Sequence, residues 1–200
     1  FGWWSHDIGG HYGGIEDAEL YLRWVQFGVF SPIFRLHSTN NPFIDRTPWG
    51  FDLNTLEYAR QAMQLRHRLI PLLYTANYRN ASTGEPVILP MYYRWKDEAA
   101  YQCPGQYTFC QDLLVAPVTS PIDPDTGFAR KLVWLPEGDW FDLNTYEIFK
   151  GGFWHIYYAP LDRTPVFAPA GSIIPLNGDE PRNGVCLPSK FHVKVFPGKD

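Results

Sequence analysis

The chain has 200 residues, a net charge of −4 and 17% aromatic residues, among them 8 Trp, 12 Tyr and 14 Phe. That length supports one or two domains with a buried core. No basic stretch could follow a phosphate backbone, which excludes nucleic acid as a partner, and no run of 18 apolar residues offers a membrane span.

The chain opens on Phe-Gly-Trp-Trp-Ser-His-Asp-Ile-Gly-Gly, without a starting Met, a basic leader or an apolar leader, and is expected to be the interior of a protein rather than a signal peptide. The apolar run from Phe1 to Trp4 reads as the end of a buried strand. A turn with Gly9, Gly10, Gly13 and Gly14 follows, then a helix over 16–27. Glu16, Asp17 and Glu19 suit the positive end of its dipole; Leu20, Trp24 and Phe27 share a face, and Gly28 is placed to stop it. Residues 29–37 read as a second buried strand. A long helix is expected over 54–79, with Asn54 as N-cap, Glu57 as its capping-box partner and either a kink or shifted hydrogen bonding at Pro71.

From residue 86 onward, Pro- and Gly-rich turns separate short β-rich runs. Strands are expected at 87–95, 113–118, 130–135, 140–142, 153–158, 166–168 and 172–175, with one more at 191–196. Buried strands alternating with helices in the first half imply a parallel α/β arrangement. Two such units cannot close a sheet alone, so the first half looks like the last quarter of something larger. The second half suits an antiparallel β-domain.

Two polar clusters stand where strands end. Ser5-His6-Asp7-Ile8-Gly9-Gly10-His11 follows the first apolar run. In a β/α barrel that is the C-terminal, functional face. Asp7 there either hydrogen-bonds sugar hydroxyls or serves a turn or an ion pair with Arg35. In Phe34-Arg35-Leu36-His37, alternation puts Arg35 and His37 on one face and Phe34 and Leu36 on the other. Such a pair suits polyols or anions, or forms an Arg–Asp ion pair beside a neutral His. His6, Asp7 and His11 are zinc-ligand types, but their spacing matches no motif with a mechanism, so no metal is expected. Cys103, Cys110 and Cys186 have no zinc-like spacing either; a Cys103–Cys110 disulfide is one option. No G-x-S-x-G elbow, P-loop or dinucleotide fingerprint occurs.

Trp4-Ser5-His6-Asp7-Ile8-Gly9-Gly10 resembles the G-x-D-I-G-G-F segment of glycoside hydrolase family 31. Arg23-Trp24-Val25-Gln26-Phe27-Gly28 is similar to that family's R-W-x-Q-x-G helix, and Ser31-Pro32-Ile33-Phe34-Arg35-Leu36-His37 to its P-x-x-R-x-H strand. Arg66, with Leu69-Ile70-Pro71-Leu72-Leu73-Tyr74, resembles the helix that closes the family's barrel. Residues 112–118 and 165–175 resemble the two signatures of the β-domain behind it. The matches run in order over residues 1–177.

The resemblance implies the last two βα units of a (β/α)₈ TIM barrel followed by an antiparallel β-sandwich. Expected boundaries are 1–82 for the end of the catalytic barrel, 83–178 for a proximal β-sandwich and 179–200 for the start of a distal β-domain. The implied activity is retaining hydrolysis of α-glucosides or related α-glycosides, with no cofactor and an α-linked oligosaccharide as ligand. The family's nucleophile and acid/base aspartates lie in W-x-D-x-N-E and G-D-N contexts, and neither occurs here, so no residue of the chain is expected to be catalytic. What the resemblance carries over is substrate binding by Asp7, His37, Arg35, His11 and Trp4. His11 stands where the family has an aromatic, and one residue is inserted before the helix. The alternatives are a non-catalytic carbohydrate-binding module using aromatics of the β-half, or a degenerate scaffold relative.

Overall fold

The computed structural model describes residues 3–179 and 188–198; Phe1, Gly2 and Cys186 lie outside them. Helix α1 spans Ala18–Val29, because the Asp17 carboxylate accepts the Leu20 N–H at 2.7 Å and caps the first turn. Glu16 therefore stays outside the helix that was expected to contain it. Gly28 does not stop α1. It lies within the last turn, where the helix backbone presses on the two strand segments: a Cβ there would sit 2.4 Å from Ile8 Cδ1 and 2.9 Å from a Phe34 ring carbon. The buried face is Tyr21, Leu22, Val25 and Val29, whereas Leu20, expected on the apolar face, is exposed.

The long second helix is two helices. α2 (Leu53–Arg68) and α3 (Ile70–Thr83) meet at Leu69. Pro71 sits in the first turn of α3, where a missing N–H costs nothing, so the chain restarts a helix instead of bending one. The cap of α2 is Asp52, which accepts the Thr55 N–H and hydroxyl at 2.9 and 2.8 Å, not Asn54. Glu57 binds Arg60 rather than closing a capping box. Gly84 ends α3 in the left-handed conformation, φ +77°.

The two strand segments of the first half run parallel. They touch through bridges between Ser5 and Ile33 and between Ile8 and Leu36, with Ile8 N donating to Arg35 O and His37 N donating to Ile8 O. α1 lies over them, and Ile8, Tyr21, Leu22, Val25 and Ala59 form their shared core.

The second half is antiparallel throughout. β1 (Ile88–Pro90), β2 (Tyr107–Phe109), β3 (Leu113–Val115), β8 (Val166–Pro169), β5 (Asp139–Asp142) and β6 (Ile148–Lys150) form a six-stranded sheet in the order β1-β2-β3-β8-β5-β6. β4 (Ala129–Leu135) pairs with β7 (Phe153–Ala159), and β9 (Ile173–Asn177) with β10 (Phe191–Val195). The strand expected over 87–95 stops at Pro90 and becomes a 3₁₀ turn, Met91–Tyr93. β2 and β6, each three residues, and a short helix α4 (Glu98–Gln102) were not anticipated.

Strict alternation splits the six-stranded sheet between two cores. Leu114, Phe167 and Trp140 of this sheet face Val133, Leu135 and Tyr157, which makes a sandwich with the β4–β7 ribbon. Leu113, Val115, Val166 and Ala168 face the other way, onto Val29, Phe30, Leu69, Leu72 and Leu73 of the helical half. Ile174 of β9 and Phe196, just after β10, also lie in that second core, while β10 itself pairs with β9 on the surface. Cys103 and Cys110 are both buried free thiols, so they are not joined to each other.

Candidate functional site

Two polar motifs carried on helices fix the frame of the site: one ties the helical half to the β-half, and the other braces the helical half internally. Arg23, nearly fully buried, donates through Nη1 to Gln26 Oε1, Pro160 O and Arg163 O at 3.0–3.1 Å. Gln26 Nε2 reaches Leu161 O at 2.7 Å, and Thr164 Oγ1 donates to Gln26 Oε1 at 3.2 Å. From α2, Arg66 donates to the carbonyls of Val29, Ser31 and Pro32. Burial lowers the Arg66 pKa to about 10, still far above neutrality. These carbonyls belong to the bend between α1 and the strand that carries Arg35 and His37. Arg66 therefore fixes where that strand begins.

At the opposite end of the two strand segments, four polar side chains close a ring. The Arg35 guanidinium binds Asp7 Oδ1 through Nη2 and donates to Ser5 Oγ through Nε at 3.1 Å. Its Nη1 lies 3.2 Å from His37 Nδ1. His37 Nε2 lies 2.9 Å from His11 Nδ1, and that same nitrogen is 3.3 Å from Asp7 Oδ2. Asp7 and His37 are half-buried and His11 is exposed, so the ring opens to solvent. Arg35 and His37 share a face as alternation requires, while Phe34 and Leu36 pack against the core beneath.

The glycine turn sets the fourth member. Gly9 and Gly10 have φ of +96° and +89°, a region that favours glycine, and they carry the chain back so that His11 faces His37. Arg46 clamps this loop on both sides of His11, donating to Gly10 O at 2.8 Å and to Gly13 O. Arg46 was not foreseen: it lies in an irregular segment with no periodicity around it.

Trp4 does not reach the ring. Its indole N–H donates to His6 Nδ1 at 3.1 Å, and it is half exposed. His6 turns away from Asp7 onto the Phe27 ring, at 4.6 Å between centroids, and burial lowers its pKa. The metal-ligand types that do converge are Asp7, His11 and His37, with one ligand atom of each within 4.8 Å of the others. Arg35 Nη1 is a donor only, so His37 Nδ1 accepts and the ring proton sits on Nε2. While Arg35 stays in place, the nitrogen facing the cluster has no lone pair to give a cation.

Chemically, the ring offers a carboxylate acceptor, an orientation-fixed imidazole donor and a guanidinium at one open mouth. Such a set can accept from and donate to neighbouring hydroxyl groups. It lacks a second, unpaired carboxylate for acid–base or nucleophilic work.

Comparison with known proteins agrees with this architecture. Residues 1–76 match the glycosyl hydrolases family 31 TIM-barrel domain, and residues 84–174 match the glycosyl hydrolase family 31 C-terminal domain. An alpha-xylosidase of Saccharolobus solfataricus is 30% identical over 99% of this chain and 27% of its own length. Alpha-glucosidase 2 of Bacillus thermoamyloliquefaciens is 32% identical over 88% of this chain and 22% of its own. The solved structure of a Flavobacterium johnsoniae family 31 dextranase complexed with glucose superposes with a TM-score of 0.85 at 34% identity, covering 96% of this chain and 24% of that one. The chain thus spans about a quarter of the proteins it matches, and it belongs to glycoside hydrolase family 31, contributing the end of the barrel and the β-domain that follows.

Proposed function

We propose that the chain forms the closing part of a retaining α-glycosidase acting on α-glucosides or related α-linked oligosaccharides. Its nucleophile and acid/base aspartates would lie on barrel strands outside these 200 residues, about 5–5.5 Å apart across the scissile bond. Residues 1–82 are read as the end of the barrel, 83–178 as the proximal β-sandwich and 179–200 as the start of a distal β-domain.

The observation that carries this reading is the Asp7–Arg35–His37 arrangement at the ends of two adjacent parallel strand segments. In a β/α barrel that end is where substrate binds. Asp7 would accept from sugar hydroxyls and His37 Nε2–H would donate to one. Arg35 would hold both in orientation, and His11 and Trp4 would line the approach. The chain by itself is expected to be inactive.

The test replaces His37 by Ala in the enzyme that includes the remaining barrel strands. Hydrogen bonds to the sugar strengthen in the transition state, so KM should rise and kcat should fall together. Unchanged kinetics on both α-glucosides and α-xylosides would overturn the assignment.

A further inference from the structure

His11 Nδ1 stands between two groups with opposite demands. Arg35 Nη1 makes His37 Nδ1 an acceptor, so His37 Nε2 carries the proton and donates toward His11 Nδ1 at 2.9 Å. His11 must then present a lone pair. That lone pair also faces Asp7 Oδ2 at 3.3 Å, a carboxylate oxygen that can only accept. Placing the proton on His11 Nδ1 instead satisfies Asp7 but opposes the His37 N–H. No protonation state of His11 satisfies both neighbours.

A hydroxyl group does satisfy both, because one oxygen donates to Asp7 and accepts from His37 at once. Two hydrogen bonds of about 2.8 Å meeting at a tetrahedral oxygen span about 4.6 Å. The ligand atoms of Asp7, His11 and His37 all lie within 4.8 Å of one another.

We propose that His11 is a displaceable stand-in for a substrate hydroxyl: its ring fills the corner between Asp7 and His37, and a bound sugar takes its place there. This rests on the reading of Asp7 and His37 as sugar-binding groups. The displacement needs only a side-chain rotation, since the His11 side chain is 53% exposed. Its ring neighbours are His37 and an edge contact with exposed Tyr12 at 5.2 Å. Arg46 keeps the backbone of the loop in place on both sides while the ring swings. The occupied corner lowers affinity for every sugar that must enter it.

The experiment measures d-glucose and d-xylose binding by calorimetry to the full-length enzyme and its His11→Ala, Asp7→Asn and His37→Ala variants. Glucose binding to His11→Ala should tighten about threefold to tenfold, the value of one net hydrogen bond no longer displaced. In a series of monodeoxyglucoses, the one lacking the bridging hydroxyl should show no such gain. In ¹⁵N spectra of the unsubstituted enzyme, His11 Nδ1 should shift on glucose saturation while His37 keeps its proton on Nε2. If His11→Ala weakens binding or leaves it unchanged while Asp7→Asn and His37→Ala both weaken it, the stand-in role is wrong and the pocket assignment survives. If Asp7→Asn and His37→Ala leave binding untouched, the pocket assignment itself fails and takes the inference with it.

Discussion

Arg35 Nη1 lies 3.2 Å from His37 Nδ1, two residues further along the same strand face, while Nη2 of the same guanidinium holds Asp7. One rigid fork thus fixes both the position of a carboxylate and the tautomer of an imidazole. Lysine cannot copy this, because an ammonium is a single point charge without the planar fork. Arg35→Lys in the full-length enzyme should lower sugar affinity by about tenfold, the scale of one charge-assisted hydrogen bond lost in a partly buried site. The same variant should let His37 sample both tautomers, which ¹⁵N spectra resolve. Native-like affinity with a single Nε2–H tautomer would contradict the positioning role.

Arg66 should matter for stability rather than chemistry. Its three carbonyl partners sit where α1 turns into the strand bearing Arg35 and His37. Methionine keeps most of the volume and removes every donor. Leaving even one buried carbonyl unpaired costs about 1–3 kcal/mol, so Arg66→Met should destabilise by at least about 2 kcal/mol in urea. A midpoint within experimental error of the native one would show that water replaces the guanidinium without loss.

His6 gives a pH dependence with a definite sign. Burial holds its folded-state pKa below the ordinary 6.5, with Asp7 opposing as the smaller effect. The unfolded chain therefore takes up the proton first as pH falls. Stability should decline as pH drops through about 6.5 and level off below the folded-state pKa. His6→Phe keeps a ring against Phe27 and cannot titrate. The melting temperature of the native protein should fall more steeply between pH 7.5 and 5 than that of His6→Phe; parallel curves would remove His6 from the account.

Much of the site was legible before the fold was known. Period-two alternation sufficed to put Arg35 and His37 together, and a polar cluster after an apolar run sufficed to place Asp7 at a strand end. The Asp7–Arg35 pair was one of two readings left open, and the geometry contains it. What could not be read were contacts that depend on long-range closure. Arg46 on Gly10 and Gly13, Arg66 on the Val29–Pro32 bend, and Arg23 on the 160–163 carbonyls each join segments more than 30 residues apart. The break at Leu69 was missed for a different reason. A proline in an apolar stripe signals either a kink or a new first turn, and nothing local to the sequence decides between them; the structure ends α2 at Arg68 and starts α3 at Ile70. The strands β2 and β6 are too short to show a period at all.

Gly28 offers the sharpest test of how the helical half supports the site, because two effects oppose each other there. Alanine favours a helix interior over glycine by about 1 kcal/mol, and on propensity alone Gly28→Ala would stabilise α1. The new methyl, however, would sit 2.4 Å from Ile8 Cδ1 and 2.9 Å from Phe34. Both neighbours are core residues adjacent in sequence to Asp7 and Arg35, and Ile8 is fully buried. Overpacking of this kind costs about 1–3 kcal/mol, so the clash should win and Gly28→Ala should be destabilising. The cause can be isolated, since Ile8→Val removes the Cδ1 atom that lies nearest. The double variant Ile8→Val/Gly28→Ala should be more stable than the sum of the two single changes predicts, by at least about 0.5 kcal/mol of coupling. Additive effects would mean that the methyl is accommodated by a shift of the helix instead. The two strand segments, and with them Asp7 and Arg35, would then be held less tightly than their spacing to α1 implies.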